Sequence, residues 1–258
     1  MKKIKTLSIL LILPCLQQAS ADDKSGYYIS GKMGVSIQQQ QDRKLSVTDT
    51  NLDSGVSSTA SLNLGGGDTS VFNGGLAIGY DFNTNSNIPI RLELEYMNRA
   101  RATQSSEHHG VDFNLLVPNY GDNELKYQTK VKTQTAMLNM LWDFYQISDY
   151  QLYLALSAGA AFNEINNNIP YRIFSNRGEI NSSDSSIVNF AWGAGAGISR
   201  KINNNFIIDL GYRFLDAGKL PANSSWSTAA FGMNAGLTAN TNTHVRYHDI
   251  DLSIRYLF

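Results

Sequence analysis

The chain has 258 residues, 21 basic and 22 acidic side chains, and a formal net charge of −1, so it has no basic excess with which to hold nucleic acid. Charged residues are only 17% of the chain, below the usual quarter, while 21 glycines and 13 tyrosines stand against 5 prolines and 1 cysteine. That balance excludes a disulfide scaffold, and no stretch beyond the N-terminus is apolar enough to cross a bilayer as a helix.

The N-terminus reads as a secretory signal. Lys2, Lys3 and Lys5 are followed by the apolar run Leu7 to Leu13, and Ala19-Ser20-Ala21 sets small residues where a signal peptidase cuts. Cleavage before Asp22 makes residues 1–21 a signal peptide and 22–258 the mature domain, free of cysteine. Pro14 occupies the place where a lipoprotein signal needs a small residue, so Cys15 is not read as a lipid acceptor.

Period-two alternation then runs through eight segments of about 10–14 residues, near the length of a tilted membrane strand. Gly26 to Gln38 sets Tyr27, Ile29, Met33, Val35 and Ile37 against Ser30, Lys32, Ser36 and Gln38. Val71 to Phe82 sets Phe72, Leu76, Ile78 and Tyr80 against Asn73, Gly75, Gly79 and Asp81. In Pro89 to Arg99, Ile90, Leu92, Leu94 and Tyr96 alternate with Arg91, Glu93 and Glu95. The fourth segment opposes Leu138, Met140, Trp142 and Phe144 to Thr135, Asn139 and Asp143, and the fifth opposes Leu152, Leu154 and Leu156 to Tyr153, Ala155 and Ser157. The sixth opposes Val188, Phe190 and Trp192 to Asn189, Gly193 and Gly195. The seventh opposes Phe206, Ile208, Leu210, Tyr212 and Phe214 to Asp209, Gly211 and Arg213. The last opposes Ile250, Leu252, Ile254, Tyr256 and Phe258 to Asp249, Asp251, Ser253 and Arg255.

The connections alternate in length. Asn83 to Ile88, Gln146 to Asp149 and Asn203 to Asn205 are short and turn-forming; Gln39 to Ser70, Ala102 to Lys130, Asn163 to Ser186 and Ala217 to His244 are long and polar. This is the pattern of an all-β chain folded as an eight-stranded antiparallel up-and-down transmembrane β-barrel, with short periplasmic turns and four long extracellular loops. Lipid offers no hydrogen bonds to a bare strand edge, so such a sheet must close on itself. A soluble barrel would reverse the two faces. Extra strands within 39–70, making ten, stay open at this point.

A barrel of eight strands is just wide enough for side chains to fill. The inward face holds Lys32, Arg91, Arg99, Arg213 and Arg255 with Glu93, Glu95, Asp143, Asp209, Asp249 and Asp251, a near balance that reads as a salt-bridged plug. Other motifs carry no chemistry. Gly26 to Lys32 almost spells a phosphate-binding loop, but Met33 replaces the required hydroxyl and no helix follows; Gly193-Ala-Gly195-Ala-Gly197 lacks dinucleotide spacing. His108 and His109 adjoin in a loop, and no serine or cysteine completes a triad with His244, His248 and Asp249. Neither an enzyme nor a cofactor or metal is expected.

Three groups of residues carry a family likeness: Gly75 to Phe82; Arg91 to Tyr96; and Gln134 to Asn139 leading to Trp142-Asp143-Phe144. Phe190 to Gly197, Ile208 to Gly218 and the terminal Tyr256-Leu257-Phe258 continue it. On these the chain resembles the opacity family of outer-membrane barrels, within the OmpA-like eight-stranded group. The resemblance implies outer-membrane localisation, a lipid-facing belt, and Tyr256 with Phe258 as the signal read by the barrel-assembly machinery. It also implies loops that bind a host-cell receptor or matrix protein, with Phe113, Leu115, Leu116, Trp226 and Phe231 as candidate contacts. The alternative is a structural barrel or narrow porin with no dedicated receptor.

Overall fold

The computed structural model describes residues 25–51, 55–63, 65–109, 124–173, 176–181, 185–230 and 233–258. The expected signal segment 1–21 lies outside them, as do Phe113, Leu115, Leu116 and Phe231; Trp226 lies within a strand, its backbone in register with Leu237.

Eight strands form an antiparallel ring: β1 (Tyr27–Asn51), β3 (Gly67–Asp81), β4 (Ile90–Arg99), β6 (Glu124–Ile147), β7 (Tyr150–Ile173), β9 (Ser185–Lys201), β10 (Phe206–Ala230) and β11 (Met233–Leu257), which returns to β1. Three further strands, β2 (Ser57–Asn63), β5 (Ala102–His109) and β8 (Asn176–Asn181), pair beyond the ring with β1, β6 and β7. The first and last described residues meet at the seam: the Ser25 amide donates to the Phe258 carbonyl at 3.0 Å, and the Phe258 amide to the Tyr27 carbonyl at 3.0 Å.

Each short connection is a tight turn. One helical turn, α1 (Asn83–Ser86), joins β3 to β4 and ends on Asn87 at φ 53°. Ser148, at φ 51°, makes the β6–β7 turn. The Asn203 side chain accepts from the amides of Asn205 and Phe206 to shape the third.

Strict alternation sorts the faces. Leu92, Leu94, Tyr96, Trp142, Leu156, Phe190, Leu210 and Ile254 are exposed on the outside, while Arg91, Glu93, Glu95, Asp143, Asp209 and Arg255 are buried inside. Aromatic rings cluster at the turn side: Tyr27 meets Tyr80 at 4.8 Å, Tyr80 meets Phe82 at 4.8 Å, and Phe206 meets Tyr256 at 5.1 Å.

The long connections differ from the expected loops. β1, β10 and β11 are each 25 residues, more than twice the roughly 9–11 that cross a bilayer, so most of these stretches is strand continuing outward. Among the described pairings, β3 leaves β4 above Asn73–Arg99, and β10 leaves β9 above Asp216–Trp192. Beyond those points the ring parts into two sheets: β1, β11 and β10 continue with β3 and then β2 on one side, and β6 and β7 continue with β5 and with β9 and then β8 on the other. The ring itself has eight strands, not ten; β2 extends the sheet above it.

Three bulges mark this level. β1 shifts register between Gln41 and Lys44, and β10 between Asp216 and Lys219, where Gly218 takes φ +86°. At the β4–β5 junction the chain has one residue more than β6 between the pairs Asn98–Gln134 and Ala102–Val131.

Candidate functional site

The lumen is filled in three tiers. Nearest the turns, Arg91 donates to Asp143 through Nε and Nη2 at 2.9 and 2.7 Å, and Arg255 donates to Asp209 through Nε and Nη2 at 3.0 and 2.9 Å. Arg91 also stands 3.8 Å from Asp209, which links the pairs, and Asp81 lies 4.0 Å from Arg255. The guanidinium of Arg91 lies over the Tyr153 ring at 4.9 Å, and that of Arg255 over Tyr28 at 5.3 Å. Both rings need inward glycines: a Cβ on Gly79 would stand 2.3 Å from the Tyr28 ring, and one on Gly197 2.3 Å from that of Tyr153.

The middle tier begins with Lys32, which bridges Glu93 and Glu95, the latter at 2.6 Å. Arg213 then joins Glu95 at 2.6 Å to Asp249 at 3.2 Å, and Arg99 closes on Asp249 at 2.6 Å. Neutral groups take up the remaining capacity. Asn139 donates to Glu93 and Glu95, Ser36 donates to Asp249, and Asn73 donates to Asp251 at 2.7 Å. The Tyr28 hydroxyl, donating to Glu93 at 3.3 Å, ties this tier to the one below. Removing these charges from water is costly, and the chained, largely bidentate geometry offsets that cost.

The upper tier holds an apolar core. Val131, Met137, Ala161, Ile165, Leu215, Leu220, Val245 and Tyr247 form one buried cluster, with Gln40, Arg43, Thr129 and Thr243 buried among the same strands. Tyr247 faces Arg99 at 4.7 Å, donates to Thr133 at 2.6 Å and accepts from Gln38 at 2.6 Å, so it is the lid between ions and hydrocarbon.

All eleven charged residues named from the sequence thus lie within the barrel: Arg91, Asp143, Asp209 and Arg255 in the lower tier, and Lys32, Glu93, Glu95, Arg99, Arg213 and Asp249 in the middle one, with Asp251 beside it. Asp251 is held by Asn73 rather than by a cation. The network also enlists Tyr28, Ser36, Asn73, Asn139 and Ser199, which sequence reasoning had not assigned to it. Their inward parity was the available signal. Tyr256 packs edge-on against Phe258 at 5.1 Å on the seam strand.

Above the lumen the outer faces are polar. On β1 and β2, Ser46–Ser61, Thr48–Thr59 and Thr50–Ser57 form an exposed ladder of hydroxyl pairs at 3.2, 2.9 and 2.9 Å. At the β10 bulge Asp216 meets His244 at 2.9 Å and Arg246 at 3.4 Å and accepts from the Gly218 amide at 3.0 Å. Partial burial alone would raise the Asp216 pKa, but these partners outweigh it and hold the carboxyl below the usual range. No group of three or more His, Cys, Asp or Glu among the described residues converges as metal ligands.

The family model described as "Outer membrane protein beta-barrel domain" matches residues 6–258. Outer membrane protein PagN of Salmonella typhimurium is 28% identical over 258 residues, covering 99% of this chain and 100% of that one. Among solved structures, Neisserial surface protein A is 16% identical with a TM-score of 0.43, covering 92% of this chain and 100% of its own. OprG from Pseudomonas aeruginosa is 14% identical with a TM-score of 0.46, covering 92% and 97%.

Proposed function

Because the chain belongs to the outer-membrane protein β-barrel family and resides in the cell outer membrane, we propose that it is an opacity-like surface adhesin, acting by binding rather than catalysis, whose extramembrane sheets engage a host-cell receptor or matrix protein. One observation supports this above others. The lumen is occupied by the protein's own paired side chains, while five strands of 24–25 residues run well past the lipid-facing band, where outward side chains such as Lys132, Asp216, Lys219 and Asn242 are polar. A chain built so has its free surface outside the barrel, where a partner from another cell can reach it. Tyr256, on β11, and Phe258, which follows that strand, are read as the mark recognised by the barrel-assembly machinery.

The test is adherence to host cells and immobilised matrix proteins by a non-adherent bacterium displaying the full chain. Its control is the same barrel with the hairpins above Gln38, Arg99, Asn163 and Asp216 replaced by short turns, at equal surface level. Binding lost with the sheets supports the adhesin and directs mapping to single hairpins. Equal failure to bind by both forms removes it and leaves the structural reading.

A further inference from the structure

The bulge at the β4–β5 junction re-aims one side chain. Arg99 is buried in the lumen and Ala102 is buried again, but the two residues between them, Ala100 and Arg101, are both exposed. In an uninterrupted strand Arg101 would share the inward parity of Arg99. The extra residue turns it outward instead, as bulges at barrel rims do. There it stands opposite the stretch of β6 holding Lys130 and Lys132, whose parity is also outward: Thr103 is in register with Lys130, and Val131 between the two lysines is buried.

These three cations have a defined height. Gln134 is in register with the exposed Phe162 on β7, and Lys132 lies two residues further along β6, about 7 Å along the strand. On the other side the Ala100 amide donates to the Phe72 carbonyl at 2.8 Å, so Arg101 follows directly on the exposed Phe72 ring. The cluster therefore sits just above the last lipid-facing side chains, at the plane of the outer-leaflet headgroups. No carboxylate among the described residues forms an ion pair with any of the three; Glu164, in register with Lys132, leaves the group net positive. Arg246, at a comparable level on the opposite wall, is by contrast paired with Asp216.

We propose that Arg101, Lys130 and Lys132 form a binding site for the phosphate groups of the phosphorylated glycolipid in the outer leaflet. A planar guanidinium flanked by two ammonium groups matches a phosphate monoester, and the exposed apolar strands beneath them receive the acyl chains. The position selects lipid over a soluble polyanion, because the cations border the lipid band rather than the tips of the sheets.

The test uses the mature chain in a neutral detergent, titrated with bisphosphorylated lipid A and with enzymatically dephosphorylated lipid A, with bound lipid read by native mass spectrometry. R101Q/K130Q/K132Q should bind the bisphosphorylated form about a hundredfold more weakly, and R101Q alone roughly fivefold, from a factor of about five per basic residue. K201Q, an exposed cation at the turn side, should bind as the parent does. None of the three residues makes a side-chain hydrogen bond or ion pair among the described residues, so the fold loses no bond of its own. Undiminished binding by the triple variant, or equal binding of lipid A without phosphates, overturns the proposal. So does a triple variant that loses retention on heparin while keeping its lipid, which would reassign the patch to a soluble sulfated polysaccharide.

Discussion

The part of the barrel within the lipid band and the part above it use one alternation with opposite chemistry. Along β10, Phe206, Ile208, Leu210 and Tyr212 face out and Asp209 and Arg213 face in; from two residues later Leu215, Ala217 and Leu220 are inside and Asp216, Lys219 and Pro221 outside. β11 makes the same exchange between Ile250–Asp249 and Arg246–Tyr247. The exchange at Leu215 and Asp216 comes before the bulge of β10, so the strand keeps its alternation there while its solvent changes. Where the surroundings are hydrocarbon, apolar side chains are stable outside and polar ones must satisfy each other within. Where the surroundings are water, the ordinary inward preference of apolar groups returns.

The sharpest way to break this contrast is to unbalance the ionic interior. Asp249→Asn leaves Arg99 and Arg213 short of a charge in a buried site and should cost about 3–5 kcal/mol, read from urea unfolding in detergent or lipid. In the apolar tier, Leu215→Ala should cost about 2–5 kcal/mol by the same measurement. Leu210→Ala, on the lipid face of the same strand, should cost less, because lipid refills the space; equal losses would show that the upper tier is not a packed core. Leu92→Arg or Leu210→Arg should impair assembly by about 2–4 kcal/mol, followed as heat-modifiable gel mobility. Asn242→Arg, also outward but above the band, should stay within about 0.5 kcal/mol of the parent. If both arginines were tolerated alike, the boundary between solvents would be misplaced.

The smallest effect concerns pH. The folded Asp216 carboxyl titrates below its unfolded value of about 3.9, so its contribution is present above that value and is lost as pH falls through the lower folded one. Asp216→Asn should remove that slope between neutral and strongly acidic unfolding curves while leaving the rest of the pH dependence in place.

How much of this could be read in advance follows the same boundary. Within the band, series such as Arg91 to Arg99 and Asp249 to Phe258 keep strict alternation, and parity alone places each side chain inside or out. Above it the signal fades for two reasons. The exchange of chemistry sets Phe214 beside Leu215, so two apolar neighbours hide the period, and Val245 and Tyr247 interleave with His244 and Arg246 in the reverse sense. The bulges at Gln41–Lys44, at Asp216–Lys219 and beside Arg101 then shift the phase by a residue. Hence polar stretches such as Gln39 to Ser70 read as loops although most of their described residues are strand. Partners inside the lumen were also out of reach, since Arg99 and Asp249 stand 150 residues apart and meet only through ring closure.

The seam between β1 and β11 turns the fold into a check on its own completeness. The first strand's open edge is covered only by the last strand, down to the bond between Phe258 and Tyr27. A polypeptide arrested anywhere short of its final strand has two bare edges and no way to hide either from hydrocarbon. Closure within the membrane is thereby tied to the delivery of β11 to the edge of β1.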